Sequence, residues 1–210
     1  MKKLTFMLAL AFTFAFAFGM FAEAGEEHQV EIDKEVHDFM LKDVMGKAHS
    51  LKELGKDKKV TVVMFIATQC PVSNNYNERM VKLFDDYKDK GVQFIGINSN
   101  KQESVEEVAK HSQEHDFKFT VLKDPGNKIA DYFGAKRTPE VYLLDDKLTL
   151  RYHGAIDSSE HEPEKATPHL REVLGLVLAG KAIPTDQKET KAFGCTIKRV
   201  EQGAKPKNTP

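Results

Sequence analysis

The chain carries two cysteines, Cys70 and Cys195, and no tryptophan. Two thiols are too few for a disulfide-dense scaffold or a four-thiolate zinc site, and enough for one redox pair. Cys70 stands between an apolar run and a segment with helical periodicity that opens on Pro71. Proline suits the first helical position, where a backbone N–H has no partner to lose. A cysteine just before it faces free N–H groups and the positive end of the helix dipole, which favour the thiolate, the nucleophilic form. Thr68 and Ser73 flank the sulfur and could donate hydrogen bonds to it. The bland alternative is an inert buried cysteine at a strand end.

Cys195 follows Gly194 in a lysine-rich C-terminal stretch. It could resolve a sulfenic acid or mixed disulfide on Cys70. It could equally form a permanent structural bond with Cys70, or stay unpaired and bridge to another chain. Other groups carry less. His111 and His115 have a metal-compatible i, i+4 spacing without a third ligand nearby, so a solvated face is favoured and no metal is expected. His153, His161 and His169 surround a polar acidic loop over 158–165, where a surface role is expected. There is no phosphate loop, Ser-His-Asp arrangement or dinucleotide fingerprint, and no cofactor is expected. The formal charge of −1 lacks the basic excess of a nucleic-acid binder.

The elements that must position Cys70 read as alternating strands and helices. Lys2 and Lys3, the apolar residues 4–18 and Ala22-Glu23-Ala24 form the three parts of a signal peptide over 1–24. The apolar part is shorter than the ~20 residues of a membrane span, so membrane contact is expected only during export. Secretion, or release into a periplasm, would place the thiols in an oxidising compartment. A polar lead-in occupies 25–36, one domain 37–182, and a tail bearing Cys195 residues 183–210. Within the domain, 59–68 and 92–98 read as strands buried on both faces, with a helix over 71–90 between them. Further helices are expected over 102–116, 127–133 and 167–179. A strand over 117–122 and a hairpin of 140–145 with 148–153 complete the pattern, and the tail reads as extended or mobile. Alternation ending in a hairpin implies an α/β fold, a mixed central sheet with helices on both faces.

The segment Phe65–Tyr76 (FIATQCPVSNNY), followed by Arg137–Asp145 (RTPEVYLLD), resembles thioredoxin-fold proteins. More narrowly it resembles the redoxin group that includes the alkyl hydroperoxide reductase/thiol-specific antioxidant proteins. Asp38–Leu51 is similar to that group's opening, and Phe193–Arg199 (FGCTIKR) to the tail of a secreted thioredoxin-like subgroup. The resemblance implies a thioredoxin-like fold over 37–182, with Cys70 as the attacking thiol. Thr138-Pro139 then lies opposite it, with the proline cis and a backbone edge open to a substrate peptide. Ser73 takes the place of the second cysteine of Cys-x-x-Cys.

The peroxidase motif P-x-x-x-T-x-x-C is absent, since Val63 and Ile66 stand where proline and threonine would be. Pro139 occupies the slot comparable to the peroxidase arginine, leaving Arg137 nearby. The resemblance thus implies an oxidoreductase acting on protein or small-molecule thiols and disulfides, recycled by an external thiol reductant. Its alternatives are a peroxide reductase with Cys195 resolving, and a binding module without turnover.

Overall fold

The computed structural model describes residues 29–201. The expected signal peptide and the end of the tail lie outside the described residues. In chain order the elements are β1 (Met40–Asp43), β2 (Ala48–Ser50), α1 (Leu51–Leu54), β3 (Val60–Ile66), α2 (Pro71–Asn75) and α3 (Asn77–Tyr87). There follow β4 (Val92–Asn98), α4 (Val105–Glu114), β5 (Thr120–Lys123), α5 (Lys128–Phe133), β6 (Arg137–Thr138) and β7 (Glu140–Asp145). The last are β8 (Leu150–Gly154), α6 (His169–Leu178) and β9 (Cys195–Thr196).

Seven strands form one mixed sheet in the order β2-β1-β5-β4-β3-β7-β8. β3, β4 and β5 run parallel, while β7 joins β3, and β1 joins β5, in antiparallel pairing. β3 is buried along its whole length because both faces of the sheet are covered. Val60, Val62, Met64 and Ile66 face one core with Tyr76, Met80 and Leu83 and with Leu170, Val173 and Leu174 of α6. Val63 and Phe65 face the other with Ala130 and Phe133 of α5 and Tyr142 of β7. Each such side chain contributes about 1.5–3 kcal/mol by leaving water, so the strand that ends just before Cys70 is firmly seated.

Two local departures from the sequence pattern have physical reasons. The single helix expected over 71–90 breaks at Tyr76, whose N–H bonds to the Ser73 carbonyl. The ring of Tyr76 is fully buried, and its hydroxyl donates to Asp157 at 2.7 Å. The β7–β8 turn lacks glycine, yet Leu148 sits in the left-handed region at φ 58°. Asp145 stabilises that turn, its carboxylate accepting from the N–H groups of Lys147 and Thr149.

Candidate active site

Cys70 caps α2 with its sulfur, as the position of Pro71 predicts. Its Sγ accepts from the Ser73 N–H at 3.3 Å. The Ser73 hydroxyl does something else. It is fully buried and accepts from the Ala67 N–H at 3.1 Å, tying the helix start to the end of β3. Thr68 likewise makes no hydrogen bond to the sulfur. Its carbonyl accepts from the Asn74 side-chain amide at 2.9 Å, and its N–H points to a carboxylate below. The Ser73 hydroxyl and the Thr68 backbone therefore shape the loop rather than solvate the thiol.

That carboxylate is Glu103, which is almost fully buried. It accepts from the N–H groups of Thr68 and Gln69 at 2.9 and 3.0 Å, and from the amides of Asn98 and Asn100. Burial alone would raise its pKa. The four donors outweigh burial and hold it below the ordinary carboxylate value. Lys123, whose own pKa is lowered by burial, lies in the same cluster and bonds Asn98 and the Asn100 carbonyl.

Across the site, Thr138–Pro139 is a cis peptide bond. The loop entering it rests on a second buried carboxylate. Glu140 accepts from the N–H groups of Lys136 and Arg137, both at 2.7 Å. Its other oxygen meets the Tyr142 hydroxyl at 3.1 Å and His153 Nε2 at 2.7 Å. Burial pushes the Glu140 pKa up, and His153 with the two N–H groups brings it below the usual value. His153, partly exposed, therefore serves the proline loop rather than the acidic loop. It stacks on Tyr142 at 4.3 Å and braces the proline loop from behind. A histidine on an alternating strand gives no warning of which face it takes.

The tail returns over this site. β9 pairs antiparallel with β6, Cys195 opposite Thr138 and Thr196 opposite Arg137. Cys70 and Cys195 form a disulfide with Cα atoms 5.8 Å apart, within the ordinary range. Gly194 is required there. At φ 134° a Cβ would collide with the Thr138 carbonyl oxygen. Phe193 packs edge-on to Tyr76, and Arg137 donates to the Gly194 carbonyl and the Thr196 hydroxyl. The described part of the tail is extended around Cys195, as the sequence suggests, but it is fastened there. Ile197 is buried, Lys198 bonds Asn100 and Lys101, and Arg199 bonds Asp131 and the Ala135 carbonyl.

Cys70, Ser73, Thr138, Pro139, Arg137 and Cys195 thus come together, with Thr68 at the margin. Sequence reasoning missed Glu103 and Glu140, although each left a trace. Glu103 closes the polar run NSNKQE after a buried strand, and Glu140 opens the otherwise apolar VYLL. Asp157 receives a guanidinium nitrogen of Arg79 at 2.9 Å and the Tyr76 hydroxyl, pinning α3 to the loop after β8. His111 and His115 lie with their rings 4.3 Å apart against Phe117, and burial and the neighbouring imidazole lower the His111 pKa. Among the described residues, no three His, Cys, Asp or Glu side chains gather as a metal site.

Comparison with known proteins sets this geometry in a family. The AhpC/TSA family model matches residues 32–153, more than half of the sequence. The chain belongs to the AhpC/TSA family. Its fold is thioredoxin-like. The match ends before Cys195, so one sulfur of the pair lies outside the shared family segment.

Among characterised relatives, the chain is 29% identical over 142 residues to the thiol-disulfide oxidoreductase ResA of Halalkalibacterium halodurans, covering 66% of this chain and 74% of the relative. It is also 29% identical over 146 residues to the chloroplastic peroxiredoxin Q of Sedum lineare, covering 66% and 73%. An uncharacterized conserved protein from Geobacillus kaustophilus superposes with a TM-score of 0.75 at 31% identity, covering 83% of this chain and 95% of that structure.

Proposed function

We propose that this protein is a thiol–disulfide oxidoreductase that cycles between a Cys70–Cys195 disulfide and the corresponding dithiol. The observation that carries this reading is the bond itself, formed where a buried strand, a helix start and the cis-proline loop converge. The likeness to ResA supports the same chemistry. The pair replaces Cys-x-x-Cys: Ser73 stands in the motif, and the second sulfur arrives from the far end of the chain. Substrates are protein or small-molecule thiols and disulfides, and an external thiol reductant closes the cycle. The sequence of the first 24 residues and the disulfide together support export into an oxidising compartment. Among the described residues, no helix is long and apolar enough to cross a membrane.

Peroxide reduction is the second reading, favoured by the likeness to peroxiredoxin Q. The site supports it less. Arg137, the basic residue beside the proline loop, directs its guanidinium to the tail. The test sets two oxidants against the reduced protein, a peptide disulfide and hydrogen peroxide. Oxidation to the Cys70–Cys195 bond should be faster than a free cysteine with the peptide disulfide and no faster with peroxide. The opposite preference would make the protein a peroxidase.

A further inference from the structure

We propose that exchange with a partner takes place at Cys195, and that Cys70 is the internal sulfur of the pair. This rests on the oxidoreductase reading and reverses the order that the sequence suggests, in which Cys70 meets the partner and Cys195 resolves. Cys70 is only 3% exposed. Its sulfur lies 3.4 Å from the Thr138 carbonyl oxygen and 3.3 Å from the Ser73 nitrogen, at the base of the site. β9 covers it, with Gly194 pressed between Thr138 and Val72. Cys195, on the outer strand, is partly exposed.

The backbone edge at Thr138 that would receive an extended substrate is already taken by the chain's own β9. That strand does not depend on the disulfide for its place. Arg137 holds Thr196, the Ile197 N–H donates to the Lys136 carbonyl, Lys198 bonds Asn100, and Arg199 bonds Asp131. A partner therefore meets the pair from the Cys195 side.

Leaving-group chemistry agrees. A disulfide breaks most readily when the sulfur not attacked departs as the better stabilised thiolate. Cys70 Sγ accepts the Ser73 N–H, whereas no hydrogen bond reaches Cys195 Sγ among the described residues. A thiolate of an external dithiol attacks Cys195 Sγ, the bond to Cys70 breaks, and the electron pair leaves on Cys70 Sγ. The donor's second thiolate then attacks its own sulfur in the mixed disulfide and releases Cys195 as a thiolate. The donor ends as a disulfide and the protein, after taking up protons, as two thiols. In reverse, Cys195 attacks a substrate disulfide and the Cys70 thiolate closes on Cys195, expelling the substrate's second thiol. Cys70 keeps its role as a nucleophile, directed inward.

The experiment uses two single-cysteine variants, Cys70→Ser and Cys195→Ser, treated with glutathione disulfide and followed by intact mass. Cys195 in the first should gain one glutathione at least about tenfold faster than Cys70 in the second, because access and thiol identity set exchange rates. Equal rates, a faster Cys195→Ser variant, or no adduct on Cys195 would overturn the proposal. Protection of the Ile197 amide from hydrogen exchange in both variants should show β9 still docked. Loss of that protection in Cys195→Ser would contradict the claim that the strand stands without the bond. The oxidoreductase reading fails separately, if a dithiol cannot open the wild-type disulfide in the native protein.

Discussion

Two loops meet at the disulfide, and each hangs by consecutive N–H groups on one buried carboxylate. Glu103 holds Thr68 and Gln69 ahead of Cys70, and Glu140 holds Lys136 and Arg137 ahead of Pro139. Their remaining partners differ. Glu103 is completed by the amides of Asn98 and Asn100, which do not titrate. Glu140 is completed by an ionisable ring, His153, and by the Tyr142 hydroxyl. The Cys70 seat is thus the stiffer one, its carboxylate bonded to uncharged amides with Lys123 behind them, while the side that carries the tail strand leans on an imidazole. A redox pair assembled from sulfurs 125 positions apart needs both loops held in place. Carboxylates that each collect several donors supply that hold.

The largest expected effect removes the bond the loops share. Cys195→Ser should destabilise the oxidised protein by about 5 kcal/mol in denaturant unfolding, the chain-entropy value for so long a loop, and should match the reduced wild type. Next, the two carboxylates can be set against each other. Glu103→Ala should cost about 3 kcal/mol and Glu140→Ala about 2 kcal/mol, since each orphaned buried donor costs 1–3 kcal/mol and not all are fully buried. The order follows from what is left behind. Losing Glu103 strands the buried Asn100 amide and leaves the Asn98 amide only the long contact to the Ile66 carbonyl at 3.4 Å, whereas the Tyr142 hydroxyl keeps the Phe133 carbonyl at 3.0 Å. The reverse order would break the view that the Cys70 seat is the stiffer one.

Acid sharpens the comparison. Both carboxylates have folded-state pKa values below their ordinary 4.5. Their contribution to stability is therefore complete above that value and is lost as pH falls through the folded-state values. Wild-type stability should decline below pH 4.5, and Glu103→Gln and Glu140→Gln should each flatten the decline when unfolding is followed against pH. The smallest effect is expected at the surface. Arg137→Ala should lower stability by less than about 1 kcal/mol, the range for exposed polar contacts. It should nonetheless speed hydrogen exchange at β9 while leaving the Thr68–Gln69 loop unchanged.

Much of this was legible in the residues. β4 has the bounds that its apolar run suggests, and β3 lies within its own run. Pro71 announced the helix start that faces Cys70, and the family resemblance implied the opposing cis loop at Thr138-Pro139. What stayed hidden depends on distance in sequence. That Cys195 pairs with Cys70 turned on where β9 lands, and no local pattern encodes its pairing with β6. Glu103 reaches N–H groups 34 and 35 positions away, so its purpose shows only once the strands are stacked. Tyr76 fitted a continuous helical stripe, and only its bond to Asp157 shows why the helix breaks there. Ser73 and Thr68 flank the sulfur in sequence, but the Ser73 hydroxyl serves the Ala67 N–H and Thr68 enters the site through its backbone N–H and carbonyl.

The central claim is that Cys70 and Cys195 form one exchangeable redox pair in the native protein. The direct test equilibrates the folded protein with graded mixtures of reduced and oxidised dithiothreitol, traps free thiols by alkylation, and maps the products by mass. The account predicts a single reversible two-electron transition between two alkylated cysteines and an intramolecular Cys70–Cys195 link. A bond that opens only on unfolding, or two thiols that never pair at any ratio, would contradict it.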